Sequence, residues 1–250
     1  MTDEVLTTIE DGVIIITMNR PKAKNAANKA LAEGIAAAID ELESNDDLRV
    51  GILTGAGGTF CSGMDLKAFV TGETPNIPGR LTEYTPNKPL IGAVEGYALA
   101  GGLELAISCD MLIAADDAKF GIPEVKRGLA AAAGGLVKLP RQIAPRIAME
   151  LALTGDFISA QRAAELGLIN HVVPSGTALQ AAKELAARIA ANGPLAVAKS
   201  KQVIAEQADW SSDEMFKKQN EIVMPVFSSA DAIEGATAFA EKRAPNWTGK

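Results

Sequence analysis

The sequence predicts an α/β fold with a helical C-terminal region, and three observations carry that prediction. Short runs of strand character, each bounded by glycine, proline or asparagine, recur from Val5 to Val173. Stretches with apolar residues at helical spacing separate them, giving repeated strand, strand, helix units. From Gly176 to the end nearly every window is helical in pattern.

In chain order, residues 4–18 hold two β-type runs split by Asp11-Gly12, a strong hairpin signal. Residues 19–26, NRPKAKNA, form a turn rich in Pro, Asn and Lys. Ala30–Leu42 has apolar residues at helical spacing among Ala, Leu and Glu, and it ends in Ser-Asn-Asp-Asp. Val50–Thr54 reads as a buried strand running into the glycine-rich loop GAGGTFCSGMD at 55–65. Residues 66–88 show no sustained period and contain Pro75, Pro78 and Pro86, which predicts a loop lying over something. Strands follow at Pro89–Val94 and Met111–Ala114, with a helix expected between them over the Ala98–Ile107 stretch. A short β run at Lys119–Gly121 leads through Ile122-Pro123-Glu124 to a small-residue loop at 128–135. Helices are predicted near 145–153 and 159–166, then a strand at Ile169–Val173. The tail divides into helices at 177–191, 195–208, 212–226 and 229–243.

Composition narrows the class. A chain of 250 residues suits one sizeable domain, or one domain with a smaller appendage. A net charge of −7 and a pI near 4.9 argue against a general nucleic-acid or anionic-membrane surface, because both require basic patches. No signal-peptide pattern opens the chain, and each apolar run is too short or too interrupted to span a bilayer, so a cytoplasmic protein is expected. Cys61 and Cys109 stand far apart in no metal spacing and are expected to be free thiols; no metal is expected.

Several apparent motifs lead nowhere. GAGGTF at 55–60 follows a strand, but Phe60 takes the sixth position of a dinucleotide fingerprint and no helix follows. His171 has no acid or cysteine patterned around it and reads as a solvent-facing residue. Ser62-Gly63 is half a nucleophile elbow without the leading glycine or a histidine partner.

The informative stretch is PLIGAVEGYALAGGLELAISCD, residues 89–110. Glu104 stands where its neighbours call for an apolar side chain, and carboxylates are rarely fully buried without a partner. Gly101-Gly102 opens the predicted helix and leaves amide N–H groups open to an anion. A second glutamate, Glu124, sits in another apolar setting, and Cys61-Ser62-Gly63-Met64-Asp65 forms a small-residue loop after a strand. Backbone donors on two such loops suit a developing oxyanion, and two carboxylates beside it can move protons. The same pattern also arises when buried glutamates pair with Lys or Arg and the glycines serve only packing.

The motifs NRPKAKNA, LTGAGGTFCSGMDLKA, KPLIGAVEGYALAGGLELAISCD, AKFGIPEVKRG, AGGLVKLPR and AMELALTGDFISAQRAAELGLIN follow one another as in the crotonase (enoyl-CoA hydratase/isomerase) superfamily. The resemblance covers about residues 13–245. It implies the crotonase (ClpP-like) spiral fold of repeated ββα units, with a core over 1–192 and a C-terminal helical trimerisation region over 193–250. It further implies a coenzyme A thioester as substrate, with no separate cofactor, and its carbonyl oxygen held by the amides of Ser62 and Gly101. Glu104 would activate water and Glu124 would protonate C2, giving syn hydration of a 2-enoyl-CoA. Isomerases of the superfamily rely on the acid at the Glu124 position alone, and a non-catalytic acyl-CoA-binding member would be expected to lack both.

By the same resemblance Lys22, Lys24 and Lys67 approach the nucleotide phosphates, where lysine is a usual partner. Ala26 and the backbone of Ser62, Gly63, Met64 and Asp65 line the adenine pocket, and assembly is as a homotrimer or dimer of trimers. GMDLKAFVTGE and the ending AFAEKRAPNW look most like the carnitinyl-CoA dehydratase branch, whose quaternary ammonium substrate would place Phe69, Tyr84 and Asp65 around its tail. Two departures stand out. Ala100-Gly101-Gly102 replaces a glycine triplet, and Leu129-Ala130-Ala131-Ala132 replaces an Ile-Pro-Gly pattern, which should reshape the wall beside Glu124.

Overall fold

The computed structural model describes residues 4–72 and 79–250; part of the loop expected at 66–88, including Pro75 and Pro78, lies outside them. The chain opens with the predicted hairpin, β1 (Val5–Glu10) and β2 (Val13–Met18). Asp11 and Gly12 both take positive φ, 49° and 76°, and Glu10 pairs with Val13 across a two-residue turn. That geometry matches the right-handed twist of the strands, and it is why Asp-Gly marks the site.

Helix α1 (Lys29–Ser44) follows, with the Asn28 side chain accepting from the Leu31 N–H. Leu31, Ile35, Ile39 and Leu42 form its fully buried face. Each such side chain contributes about 1.5–3 kcal/mol of burial, which outweighs the cost of about 1 kcal/mol for Gly34 in mid-helix.

Strand β3 (Val50–Gly55) is parallel to β2, with Ile15 opposite Ile52. Short helices α2 (Leu66–Val70) and α3 (Gly79–Thr82) occur where a loop was expected. Next come β4 (Leu90–Val94), β5 (Tyr97–Leu99), α4 (Gly101–Ala106), β6 (Met111–Ala115) and β7 (Lys119–Gly121). The helix expected within the Ala98–Ile107 stretch begins at Gly101, where the glycine pair places it. The first residues of that stretch are a strand, because Ala98 pairs with Phe120 of β7.

The rest of the chain runs through α5 (Gly135–Gln142), α6 (Pro145–Thr154), β8 (Ile158–Ser159), α7 (Ala160–Glu165), β9 (His171–Val173) and α8 (Ala178–Ala190). Helices α9 (Pro194–Glu206), α10 (Met215–Phe227) and α11 (Ala230–Glu241) complete it, close to the predicted spans.

Six strands form one sheet in the order β1-β2-β3-β4-β6-β9, antiparallel only at β1–β2. A smaller sheet, β5-β7-β8, stands beside it. The middle strands of the large sheet are buried on both faces and accordingly read as continuous apolar runs. Helix α1 covers one face through the cluster containing Ile14, Ile16 and Leu53. Helix α8 covers the other, setting Ala178, Ala182 and Ala186 against Ile15, Ile52 and Ile91. Alanine at i, i+4 and i+8 lets the helix sit close, and Glu95 caps it by accepting from the Gly176 and Ala178 amides. Cys61 and Cys109 are both buried free thiols, as expected. No helix among the described residues is long and apolar enough to cross a membrane.

Candidate active site

A cavity of about 860 Å³ opens between the loop after β3, the start of α4, and the segment 123–133. The loop after β3 and the α4 start are held in close contact by glycine. A Cβ on Gly102 would lie 2.1 Å from the Cys61 carbonyl oxygen, and one on Gly63 would lie 2.7 Å from the Ala100 Cβ. Only glycine permits this approach, and it places the first amide of α4 beside residues 62–64.

The amide expected from Ser62 is not available there. Its N–H donates to the Lys24 carbonyl at 3.0 Å, which ties the loop to the Asn-Arg-Pro-Lys turn. Ser62 lines the cavity but is no oxyanion donor. Met64 also lines it, and its flanking residues make a bridge to Ala27, through Ala27 N–H to Gly63 O at 2.7 Å and Asp65 N–H to Ala27 O at 2.8 Å. The Met64 and Gly101 amides themselves meet no acceptor among the described residues. Both line the same cavity.

The turn at 19–26 wraps against this loop. Asn25, fully buried with φ 53°, donates to the carbonyls of Ala56 and Thr59 and accepts from the Arg20 N–H. Arg20 donates to the Ala26 carbonyl, pairs with Glu4 at 3.3 Å and holds Asp65 at 3.0 Å. Asp65 in turn caps α2 by accepting from Lys67 and Ala68. Burial alone would raise its carboxyl, but Arg20 and these two amides hold it below the usual carboxylate range. Asp65 is therefore a structural clamp; its carboxylate is not free to meet a cationic acyl tail. Arg20 and Asn25 were not singled out from sequence, although both lie in the NRPKAKNA motif.

Lys22, Lys24, Ala26 and Lys67 line one end of the cavity, and the Lys24 ammonium lies 5.0 Å from the Tyr97 ring centroid. Phe69 and Tyr84 are exposed and do not line it, whereas Tyr97 and Phe157 do. Gly63 acts through its missing side chain rather than as a lining group. His171 is exposed on β9, as expected.

Both glutamates face the cavity, in unlike settings. Glu104 is 2% exposed, and its Oε1 accepts the Gly135 N–H at 2.8 Å. Burial raises its carboxyl, while the backbone amides of Gly135 and Ala133 and the charge of Lys138 oppose that rise. Glu124 sits in a 3-10 turn, Pro123–Arg127, just after β7, and its Oε2 is buried without a hydrogen-bond partner among the described residues. Burial pushes its carboxyl up to about 7, its own backbone amide opposes this, the Glu104 charge adds to it, and Arg127 partly offsets it. Glu104 is held by amides from a neighbouring loop, whereas Glu124 has only its own backbone amide and one oxygen without a partner.

The altered loop at 129–135 bears on Glu104 at least as much as on Glu124. Ala130, Ala132 and Ala133 line the cavity, Leu129 N–H is bonded to the Glu124 carbonyl at 3.1 Å, and Gly135 supplies the Glu104 donor. Loss of the Pro and Gly of the family pattern leaves these contacts in place.

Comparison with known proteins identifies the family. The family model for enoyl-CoA hydratase/isomerase matches residues 8–250. An enoyl-CoA hydratase, EchA19, of Mycobacterium tuberculosis is 46% identical over 94% of this chain and 92% of its own length. A carnitinyl-CoA dehydratase of Proteus mirabilis is 38% identical over the whole of both chains. Among solved structures, an enoyl-CoA hydratase from Mycobacterium tuberculosis superposes with a TM-score of 0.97 at 58% identity, covering both chains completely. With two unspent amides and two unlike glutamates around one cavity, this chain belongs to the enoyl-CoA hydratase/isomerase family.

Proposed function

We propose that the protein is an enoyl-CoA hydratase that adds water reversibly across the C2–C3 double bond of a 2-enoyl-CoA thioester. The observation that carries this reading is the pairing, on one cavity, of a donor-held Glu104 with a Glu124 whose Oε2 lacks a donor and whose carboxyl burial pushes up to about 7. A general base must be ionised and a general acid protonated at the same pH, and these environments divide the roles that way.

The thioester carbonyl oxygen accepts from the amides of Met64 and Gly101, which need no reorganisation as negative charge develops. Glu104 takes a proton from water as its oxygen bonds to C3. The electron pair of the double bond moves to the enolate, and Glu124 delivers its proton to C2. Proton transfer from Glu104 back to Glu124 resets the pair, so that one water is consumed. Lys22, Lys24 and Lys67 lie where they can meet the nucleotide phosphates, supplying local positive charge to a chain of net charge −7. The carnitinyl-CoA dehydratase alternative is supported by the relatives of that name; its quaternary ammonium tail would have Tyr97 and Phe157 of the cavity to meet, since Phe69 and Tyr84 stay off it.

We assign residues 1–192 as the catalytic unit and 193–250 as the assembly region of a homotrimer or dimer of trimers. Exposed Phe216, Met224, Phe227, Ile233 and Phe239 on α10 and α11 support this, because such apolar side chains at a surface mark an interface. A cytoplasmic location fits the two free thiols. The test of activity is the absorbance of the conjugated thioester on adding crotonoyl-CoA. The signal should fall with folded wild-type protein; an unchanged signal across a panel of straight and branched enoyl-CoA thioesters overturns the hydratase reading.

A further inference from the structure

The two glutamates differ because of what stands behind them, and behind Glu104 stands a lysine that the water-addition scheme does not use. Helix α5 starts at the loop that holds Glu104. Its first amide, Gly135 N–H, bonds the carboxylate directly at 2.8 Å. One turn further on, Lys138 N–H bonds the Gly134 carbonyl at 2.8 Å, and its side chain runs back over Gly134, within 3.6 Å of where a Cβ there would sit. Gly134 has φ 107°, a conformation that favours glycine, and the lysine stem packs over it at van der Waals distance.

The ammonium ends on Ser108. Lys138 Nζ donates to Ser108 Oγ at 2.9 Å, and Ser108 Oγ donates to the Glu104 backbone carbonyl at 2.7 Å. Ser108 is one helical turn after Glu104 and is itself buried. The lysine charge is thus pinned beneath the turn that carries the carboxylate, on the side away from the substrate cavity. Its other face borders a second cavity of about 770 Å³, lined also by Ser108, Cys109 and Gln142. No carboxylate among the described residues forms an ion pair with it.

The charged and titratable groups around Glu104 are few. Lys138 approaches from α5, Glu124 from the 3-10 turn after β7, and the Cys109 thiol lies beside Lys138. The nearby Asp110 is occupied by Lys201 at 2.6 Å. Arg127, from the same 3-10 turn, lines the cavity and acts on Glu124, and Lys138 is the cation that acts on Glu104.

We propose that Lys138 is a positioning residue for Glu104. Tethered through Ser108, it fixes a positive charge behind the carboxylate and keeps Glu104 the ionised member of the pair. This assignment rests on the hydratase roles given above, but its test does not depend on turnover. Glutamate labelled with 13C at Cδ is incorporated, the Glu104 resonance is identified by its loss in Glu104→Gln, and its titration is followed by NMR in wild type, Lys138→Met and Lys138→Arg. Lys138→Met should move the Glu104 midpoint upward by roughly half a pH unit or more, while Lys138→Arg, which keeps the charge, should stay near wild type. Lys138→Gln repeats the test if the Met variant does not fold. Coincident midpoints in wild type and the neutral variant overturn the proposal. A protein that fails to hydrate enoyl-CoA thioesters yet shows the shift would refute the hydratase reading alone.

Discussion

Replacing Glu124 with Gln should stabilise the folded protein, and more so in alkaline than in mildly acidic solution. In an exposed setting the carboxyl titrates at 4.5, whereas in the folded chain burial pushes it up to about 7. Between those values the folded state holds a proton that the unfolded chain has released. Stability therefore falls as pH rises from 4.5 to about 7 and remains lowered above it. At about 1.4 kcal/mol per unit the whole shift corresponds to about 3 kcal/mol. Because the side chain is only half-buried, solvent screening reduces this to about 1–2 kcal/mol. Glutamine has nearly the same shape and no proton to lose, so the cost disappears.

The assay is urea unfolding of both proteins at about pH 5.5 and about pH 8.5, with protein concentration held constant because assembly shifts apparent stability. The gain from Glu124→Gln should be larger at the higher pH by about 1 kcal/mol. A gain that is equal at the two values, or larger at the lower one, refutes the view that Glu124 is a carboxyl kept neutral by burial. The same substitution should slow hydration by a factor of about 100 or more, as removal of a general acid does.

Gly102→Ala drives a methyl to 2.1 Å from the Cys61 carbonyl oxygen, so the two halves of the oxyanion site must part. A loss of about 2–3 kcal/mol in thermal or urea unfolding is expected, and wild-type stability would show that the loops have slack. Ala100→Gly should act the other way. Ala100 has φ 53° and ψ −127°, a conformation that suits glycine, and relief of strain less the added chain entropy leaves a net gain of about 1 kcal/mol. Lys22→Ala and Lys24→Ala should each raise KM for a coenzyme A thioester roughly two- to five-fold at low salt, the size of an exposed ion pair. Neither should alter KM for the matching pantetheine thioester, which lacks the nucleotide phosphates; equal effects on both substrates would remove these lysines from phosphate binding.

Much of the scaffold was legible along the chain. The Asp11-Gly12 hairpin, α1, the buried strands β3, β4 and β6, and the run of C-terminal helices follow from turn chemistry and apolar spacing, which act over a few residues. Of the small β5-β7-β8 sheet only β7 was legible, as the β run at Lys119–Gly121; β5 and β8 were not, since strands of two or three residues carry no period and exist only through their pairing. Helix α5 was hidden for a related reason: it begins in a glycine-rich loop, and Gly134 at φ 107° reads locally as a turn.

The sequence by itself determined which residues stand out: a glutamate inside an apolar helix, a second one after Ile-Pro, glycines where loops meet, and lysines in a Pro-Asn turn. Tertiary structure decided which groups remain free to act. Ser62 and Met64 are indistinguishable as amide donors on paper, yet the Lys24 carbonyl lands on the first and leaves the second unspent. Asp65 looked available and is held by Arg20. Glu104 and Glu124 are the same side chain, and only the donor at Gly135, the charge of Lys138 and the orphaned Oε2 of Glu124 give them unlike settings. A hydrogen-bonding group has a fixed capacity, and whether it is spent depends on partners that only the folded chain brings within reach.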